Sequence, residues 1–299
     1  MTYSPSIAGL ELGGTKCVAI LGTGPDDVRA CETVPTTDPA TTLAALEKIL
    51  DGWRFDALGI AAFGPLDLDP RSPDYGSISA TPKPGWSGAD LTRRLAARYG
   101  VPLAIQTDVV GAALAEQRWG AARGLSSHCY ITVGTGVGVG LISAGRPVQG
   151  VAHGEAGHMR VRRAPGDDFA GACPFHGDCV EGLISGPALA RRFSRPPHEL
   201  PDGGDEWDLF VHDFAGLLHN LIVTAAPERI SIGGGVLASH ERLFPKLRAA
   251  LAASIADYGS LAPYAEQLDD RLGPPGLGTM AGPLGALAVG LDALDKVGG

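Results

Sequence analysis

Positive charge is what this 299-residue chain is short of: 24 Lys and Arg stand against 33 Asp and Glu, a net charge of −9. A diffuse acidic balance leaves no basic footprint for a nucleic-acid backbone or an anionic membrane surface. Long apolar runs are missing too. The first hydrophobic stretch, "IAGLELGGTKCVAIL", is broken by Glu11 and Lys16 and cannot span a bilayer. The start, "MTYSPS", has no basic region followed by an apolar core, so no export signal is expected. Cysteine is sparse and odd in number, at Cys17, Cys31, Cys129, Cys173 and Cys179. That argues against a secreted disulfide framework, and the cytoplasm is the expected address.

Glycine, by contrast, is abundant: 43 residues, spread through apolar runs rather than gathered in one tract. Such placement implies tight turns and close backbone approach. With 44% hydrophobic and 19% charged residues, the composition is that of a globular protein with one large or two medium domains.

Strand and helix patterns alternate along the chain. "IAGLEL" and "CVAILG" read as strands around "GGTK", with a third strand in "DVRACETV". "PATTLAALEKILDGW" has helical spacing, "ALGIAAFG" reads as a buried strand and "GADLTRRLAARYG" as a helix ending at Gly100. "PLAIQTD" is a strand that runs into the helix "VVGAALAEQRWGA". The opening pattern then recurs in "HCYITVGTGVGVGLISAG", which suggests a distant internal duplication and an α/β protein of two halves. The second half continues with the helix "WDLFVHDFAGLLHNLIVTAA", the strand "RISIGGG", a helix around Glu241 to Tyr258 and a last helix "AGPLGALAVGLDAL". We expect domains over 1–120 and 121–299. The Gly-, Pro- and Cys-rich stretch 153–182 is expected to be an insertion in the second domain.

Two glycine loops invite a chemical reading. "LGGTK" at 12–16 and "VGTGVGVG" at 133–140 are both strand-to-strand turns. Glycine lets backbone N–H groups approach phosphate oxygens, and Thr15 and Thr135 add hydroxyl donors. Neither loop is a Walker A motif or a G-x-G-x-x-G dinucleotide fingerprint. Each alone is equally a hairpin that needs glycine for its turn. As a pair at matching places in two halves, they would hold a triphosphate between domains. A second candidate is "CPFHGDCVEG": Cys173, His176 and Cys179 stand at metal-ligand spacing, with Glu181 two residues further on.

The segments "GLELGGTK", "FGPLDLD", "TDVVGAALAE", "ITVGTGVGVG", "HGEAGHMR", "CPFHGDCVEGLISGPAL" and "ISIGGGV" come in the order seen in the ROK family, whose name stands for repressor, open reading frame, kinase. The resemblance runs from about Ile7 to about Leu294, and "SPDYGSISATPKPGW" is similar to the bacterial fructokinase branch. So is Glu11, where most members carry Asp. The resemblance implies a duplicated ribonuclease-H-like, actin-like ATPase fold, with two domains around a central cleft. The last helix, 282–297, would pack back on the first domain. It also implies an ATP-dependent sugar kinase, most directly a fructokinase making fructose 6-phosphate. A glucokinase, mannokinase or broad hexokinase is the alternative. A sugar-responsive repressor would need an N-terminal helix-turn-helix, for which the start of the first strand near Ile7 leaves no room. Partners implied are a hexose, ATP and a second copy of the chain, with no nucleic acid and no membrane.

Carried over residue by residue, Gly13, Gly14, Thr15 and Lys16 match the first phosphate loop, and Gly134, Thr135 and Gly136 the second. Gly233, Gly234 and Gly235 match the adenosine-side glycines. Asp108 matches the catalytic base. Read without the family, it is better explained as the cap of the helix from Val109. Glu155, His158 and Glu181, with Gly64 and Thr81, match substrate-binding positions. His158, Cys173, His176 and Cys179 match the ligands of a structural zinc, which would brace the segments carrying the two glutamates. Glu11 is placed to hold Mg²⁺ through water, or else to pair with Lys16.

The chain departs from the family pattern in three places. His176 replaces one of three usual cysteines, Val110 stands where fructokinase-like chains often have Asn, and Lys83 stands near an Asn that bonds a sugar hydroxyl. Trp86 reads as a packing anchor. His153 and the histidines at 128, 198, 212, 219 and 240 have no partner legible from sequence.

Overall fold

The computed structural model describes residues 5–298. Its first five strands are β1 (Ile7–Leu12), β2 (Lys16–Gly24), β3 (Asp27–Pro35), β4 (Ala57–Ala62) and β5 (Leu103–Thr107). They lie side by side in the order β3-β2-β1-β4-β5. β2 is antiparallel to β1 and β3, whereas β4 runs parallel to both β1 and β5. Strand β4, "ALGIAA", is buried at every position, as a parallel strand covered on both faces must be.

The helices of this part are α1 (Pro39–Leu50), α2 (Arg93–Tyr99) and α3 (Asp108–Trp119). Asp38 caps α1 by accepting from Thr41 N at 2.9 Å, and Pro39 starts the helix where no N–H partner is needed. α2 is shorter than the periodicity of 88–100 suggests. The stretch before Arg93 is held instead by Asp90, whose Oδ1 accepts from Thr92 N and Arg93 N. One face of the sheet (Ala8, Leu10, Leu12, Leu58, Ile60) packs with Leu43, Leu46 and Leu50 of α1 and Leu95 of α2. The other face is backbone-close to the last helix of the chain. A Cβ on Gly59 would overlap Ala286 O and Gly290 N, and one on Gly285 would overlap the backbone of Gly111 in α3. Only glycine permits that approach.

The second set is β6 (His128–Val133), β7 (Val137–Ser143), β8 (Arg146–Pro147), β9 (Arg229–Gly233) and β10 (Leu272–Gly273), in the order β10-β9-β6-β7-β8. β6 forms an antiparallel hairpin with β7 and a parallel pair with β9, as β1 does with β2 and β4. The two sheets therefore repeat one topology, and the α/β duplication read from the glycine hairpins is real. Helices α4 (Val180–Ile184), α5 (Gly186–Phe193), α6 (Asp205–Ala225), α7 (Gly235–Ala238), α8 (Phe244–Ile255), α9 (Ala262–Ala265) and α10 (Leu268–Arg271) accompany this sheet. Trp207, Phe210 and Phe214 of α6 are fully buried and stack edge to face, with ring centroids 5.6 and 5.7 Å apart.

By packing, the chain forms two units. The first takes the chain up to Gly124, Pro147–Gly154 and the stretch from Thr279 onward; the second takes Leu125–Arg146 and Glu155–Gly278. Helix α11 (Ala281–Gly298) lies on β1, β4 and α3 of the first unit. These bounds differ from a division at 120. The detour Pro147–Gly154 joins the first unit because Gln149 Nε2 donates to Leu68 O (3.0 Å) and His153 Nε2 accepts from Leu66 N (2.9 Å). Among the described residues, no helix is long and apolar enough to cross a membrane.

Candidate functional site

In the first unit, the turn between β1 and β2 is closed by Gly13 N donating to Lys16 O at 3.0 Å. Its carbonyls are occupied one after another. Gly13 O accepts from Thr36 Oγ1 (2.7 Å), Gly14 O from Lys83 Nζ (2.6 Å) and Thr15 O from Thr36 N (2.9 Å). Among the described residues, the N–H groups of Gly14 and Thr15 have no protein partner, and both residues are exposed. A turn that ties down its acceptors and leaves its donors open suits an anion.

The parallel register brings the C-terminal ends of β1, β4 and β5 side by side, pairing Leu12 with Ala62 and Ala62 with Thr107. The loop at Gly13, the turn at Gly64 and the head of α3 thus share one edge, where open α/β sheets bind ligands. Asp108 is the first residue of α3 but not its cap. Thr107 caps the helix, its Oγ1 accepting from Val110 N at 3.3 Å. Asp108 Oδ1 accepts from Val109 N at 2.9 Å. The cap explanation of Asp108 is therefore displaced by one residue. Glu11, at the end of β1, lies against α11: a Cβ on Gly282 would overlap its carboxylate. Burial pushes the Glu11 carboxyl up to about 7, the charge of Asp108 adds to the rise, and Lys16 opposes it. Gly64 sits beside His153, whose Cε1 would stand 3.3 Å from a Cβ there.

Thr81 and Lys83 occupy a short stretch that leads to Trp86. The indole of Trp86 is fully buried, meets Phe63 edge-on at 5.1 Å and donates to Thr37 O at 2.7 Å. Ser87 Oγ accepts from Thr81 N (3.1 Å) and donates to Thr81 O (3.2 Å), while Thr81 Oγ1 accepts from Lys83 N (3.4 Å).

In the second unit, the β6–β7 turn repeats the device. Gly134 N donates to Gly136 O (2.9 Å), and Gly134 O accepts from Gly186 N at the start of α5 (2.7 Å). Thr135 is exposed, and among the described residues its N–H and that of Gly136 have no protein partner. Glu181, on the first turn of α4, reaches this loop: its Oε2 accepts from Val137 N at 3.1 Å. A side chain at 136 would press a Cβ to 2.7 Å from that oxygen. After β9, Gly234 has φ +89°, and a Cβ there would overlap the backbone of Val133. Gly233 and Gly235 flank it, Gly235 opening the short helix α7.

The metal-ligand pattern closes in space. One ligating atom from each of His158, Cys173, His176 and Cys179 lies within 4.8 Å of all the others. His158 Nδ1 is 3.4 Å from Cys179 Sγ and 3.7 Å from Cys173 Sγ, and His176 Nδ1 is 3.7 Å from Cys173 Sγ. A tetrahedral zinc with usual bond lengths gives an N···S edge of about 3.6 Å. The donor set and its spacing therefore fit zinc, with four protein ligands and no place for water. Burial pushes the Cys179 thiol up to about 11, with Cys173 and Glu181 adding to the rise, so a cation is what would make it a thiolate. Glu155 is exposed, and its carbonyl accepts from His158 N at 2.9 Å within the single 3₁₀ turn Ala156–His158. That turn packs on β7, where a Cβ on Gly157 would overlap Val137 O.

The comparisons fit this geometry. The family model described as "ROK family" matches residues 7–292. The chain belongs to the ROK family. It is 38% identical to a fructokinase of Pediococcus pentosaceus over 96% of this chain and 98% of that one. It is 39% identical to a fructokinase of Zymomonas mobilis, over 96% and 97%. Among solved structures it resembles a ROK hexokinase from Thermus thermophilus, with TM-score 0.76 and 27% identity, covering 97% of this chain and 99% of that one.

Several contacts in this ROK chain escape a linear reading. His153 holds Leu66, His212 Nε2 lies 3.0 Å from Arg162 O, and His219 Nδ1 lies 2.9 Å from Ser254 Oγ. His240 is buried, with Nδ1 2.7 Å from Val236 O. A chain of ion pairs runs from the Cys/His cluster into the core: Arg160–Asp178 (2.7 Å), Arg163–Asp178 (3.6 Å), Arg163–Asp167, Arg192–Asp167 and Arg192–Asp213 (2.8 Å). The excess of Arg over Lys was the one available signal, since Arg is the residue suited to buried pairs.

Proposed function

We propose that the chain transfers the terminal phosphoryl group of ATP to the 6-hydroxyl of a hexose, with D-fructose as the preferred acceptor. Support for the acceptor comes from full-length likeness to two fructokinases at 38% and 39% identity. Asp108 is the general base. The observation that carries this is its position: it heads α3 beside the first glycine loop, yet Thr107 already supplies the cap. A carboxylate at that sheet edge can take the proton of the attacking hydroxyl.

The open N–H groups at Gly14 and Thr15 and at Thr135 and Gly136 bind phosphate oxygens, with Gly13 and Gly134 shaping the turns and Lys16 adding charge. Gly233, Gly234 and Gly235 let the nucleoside approach the backbone. Glu11 holds the Mg²⁺ of MgATP, which shields the phosphate charge. Glu155, His158 and Glu181 bind sugar hydroxyls, with Gly64 and Thr81 shaping the sugar side. A structural zinc on His158, Cys173, His176 and Cys179 fixes the 3₁₀ turn after Glu155 relative to α4, which carries Glu181. Nδ1 of His158 faces the sulfurs, which leaves Nε2 for the sugar. The functional unit is a homodimer.

The experiment is a coupled ADP-release assay with and without Mg²⁺, using fructose, glucose and mannose at one ATP concentration. We expect Mg²⁺-dependent turnover that is fastest with fructose. Asp108→Ala is expected to lose about 10²–10⁴-fold in kcat or more while its melting temperature stays near wild type. Turnover close to wild type in that variant would remove Asp108 from the role. Equal rates on glucose and fructose would favour the broad-specificity alternative over a fructokinase; the Thermus thermophilus relative is named a hexokinase.

A further inference from the structure

Lys83 is a cation that this reading leaves without a task. Its ammonium donates to Gly14 O at 2.6 Å and stands 5.9 Å from the centroid of the Phe63 ring. Its charge also acts on the Cys17 thiol, and among the described residues it forms no ion pair with a carboxylate. A lysine at rest on a neutral carbonyl keeps its full charge available for an anion.

The ammonium is held there by a built frame. Trp86, three residues on, is buried and bonded to Thr37 O, and the neighbouring Thr36 bonds the carbonyls of Gly13 and Thr15. Ser87 and Thr81 close the stretch on itself around Lys83 N. The loop at 13–15 and the turn at 81–87 are thus fastened to one segment, 36–37. The cation stands at the same turn whose Gly14 and Thr15 N–H groups are open.

We propose that Lys83 is a catalytic residue of the transfer, its ammonium contacting the terminal phosphoryl group of ATP. The proposal rests on the kinase reading above. In the reaction, the sugar oxygen forms the new bond to the terminal phosphorus. The bond from that phosphorus to the bridging oxygen breaks, its electron pair leaves with ADP, and the hydroxyl proton passes to Asp108. Lys83 keeps its own proton throughout. It offsets the negative charge on the moving group and its leaving oxygen, as positioned cations do in phosphoryl transfer.

The test compares wild type, Lys83→Met and Lys83→Arg in kcat, in KM for each substrate, and in direct binding of ADP and of a non-hydrolysable ATP analogue. Lys83→Met is expected to lower kcat about 10²–10³-fold, the usual cost of one lost charge-stabilising donor. It should leave ADP affinity within about threefold, but weaken the triphosphate analogue about tenfold, because only the triphosphate reaches the ammonium. Lys83→Arg should restore part of kcat. If Lys83→Met does not fold, Lys83→Gln takes its place. The proposal is overturned by a kcat within about threefold of wild type. Equal weakening of ADP and the analogue would overturn it as well, since that is what a mere brace for the loop predicts. A rise confined to the sugar KM would mean a sugar contact instead. A wild type that binds no ATP and phosphorylates no hexose would bring down the kinase reading and this proposal together; with an active wild type, the variants judge Lys83 alone.

Discussion

Replacing Arg192 by Met tests how the second unit holds its charges. The Arg192 side chain is 2% exposed, and its partners Asp213 and Asp167 are 0% and 6% exposed. The guanidinium donates to Asp213 Oδ2 at 2.8 Å, to Asp167 Oδ2 and to Leu183 O at 3.5 Å, with the Phe169 and Phe193 rings 5.6 and 5.5 Å away. Burial pushes the Asp213 carboxyl above its ordinary range, even though Arg192 pulls it down. Burial also pushes Asp167 up, but the Arg163 hydrogen bond and the charges of Arg192 and Arg163 outweigh it and leave that carboxyl low. Met conserves most of the packing and removes the cation from between two buried acids. Removing one partner of a buried pair costs about 3–5 kcal/mol. At about 2–4 °C per kcal/mol for a unit of this size, the melting temperature should fall by about 6–20 °C. The pH dependence has a definite sign. Without Arg192, the Asp213 carboxyl loses the charge that pulls it down and lies further above its unfolded value, so the folded state holds more protons and loses stability as pH rises through the carboxylate range toward neutrality. The deficit should therefore be largest near neutral pH and shrink as pH falls toward about 5. Thermal and urea unfolding at both pH values read this directly, and adding Asp213→Asn should recover part of the loss. A cost below about 1 kcal/mol, the size of an exposed pair, would refute the reasoning. So would a deficit of equal size at both pH values.

On the proposed zinc reading, a chelator should lower the melting temperature and raise the hexose KM about 10–100-fold, because the turn after Glu155 and helix α4 would lose a common anchor at His158, Cys173, His176 and Cys179. An unchanged hexose KM, measured by the same ADP-release assay, would separate the cluster from sugar binding. Glu11 gives a pH prediction: its folded carboxyl is raised to about 7, so stability present at low pH is lost as pH climbs through that value. Glu11→Gln should flatten the decline in melting temperature between about pH 5 and 7.5; a slope identical to wild type would contradict the burial argument.

Much of the secondary structure was legible because its signals are local. The β1–β2 and β6–β7 hairpins show alternating apolar residues broken by "GGTK" and "GTG", and the matching strand orders of the two sheets follow from that repeat. Strand β10 was not legible, since Leu272–Gly273 is two residues long and exists only because β9 lies beside it. The bounds of α2 were misread, because Asp90 competes for the N–H groups that periodicity alone would assign to a helix. At the candidate site, the spacing of Cys173, His176 and Cys179 put three candidate ligands together within one short loop. Resemblance alone supplied His158, which lies 15 residues before Cys173.

By itself the sequence determined the alternation of strands and helices, the duplicated glycine turns and the close spacing of Cys173, His176 and Cys179, since each depends on the geometry of a few consecutive residues. Only the tertiary structure decided that Lys83 rests on Gly14, 69 residues away, that Glu181 holds Val137, 44 residues away, and that Thr107 rather than Asp108 caps α3. Which side chains meet across such separations is set by how sheets and helices pack around a shared core. That packing is a property of the whole chain and leaves no local pattern to read.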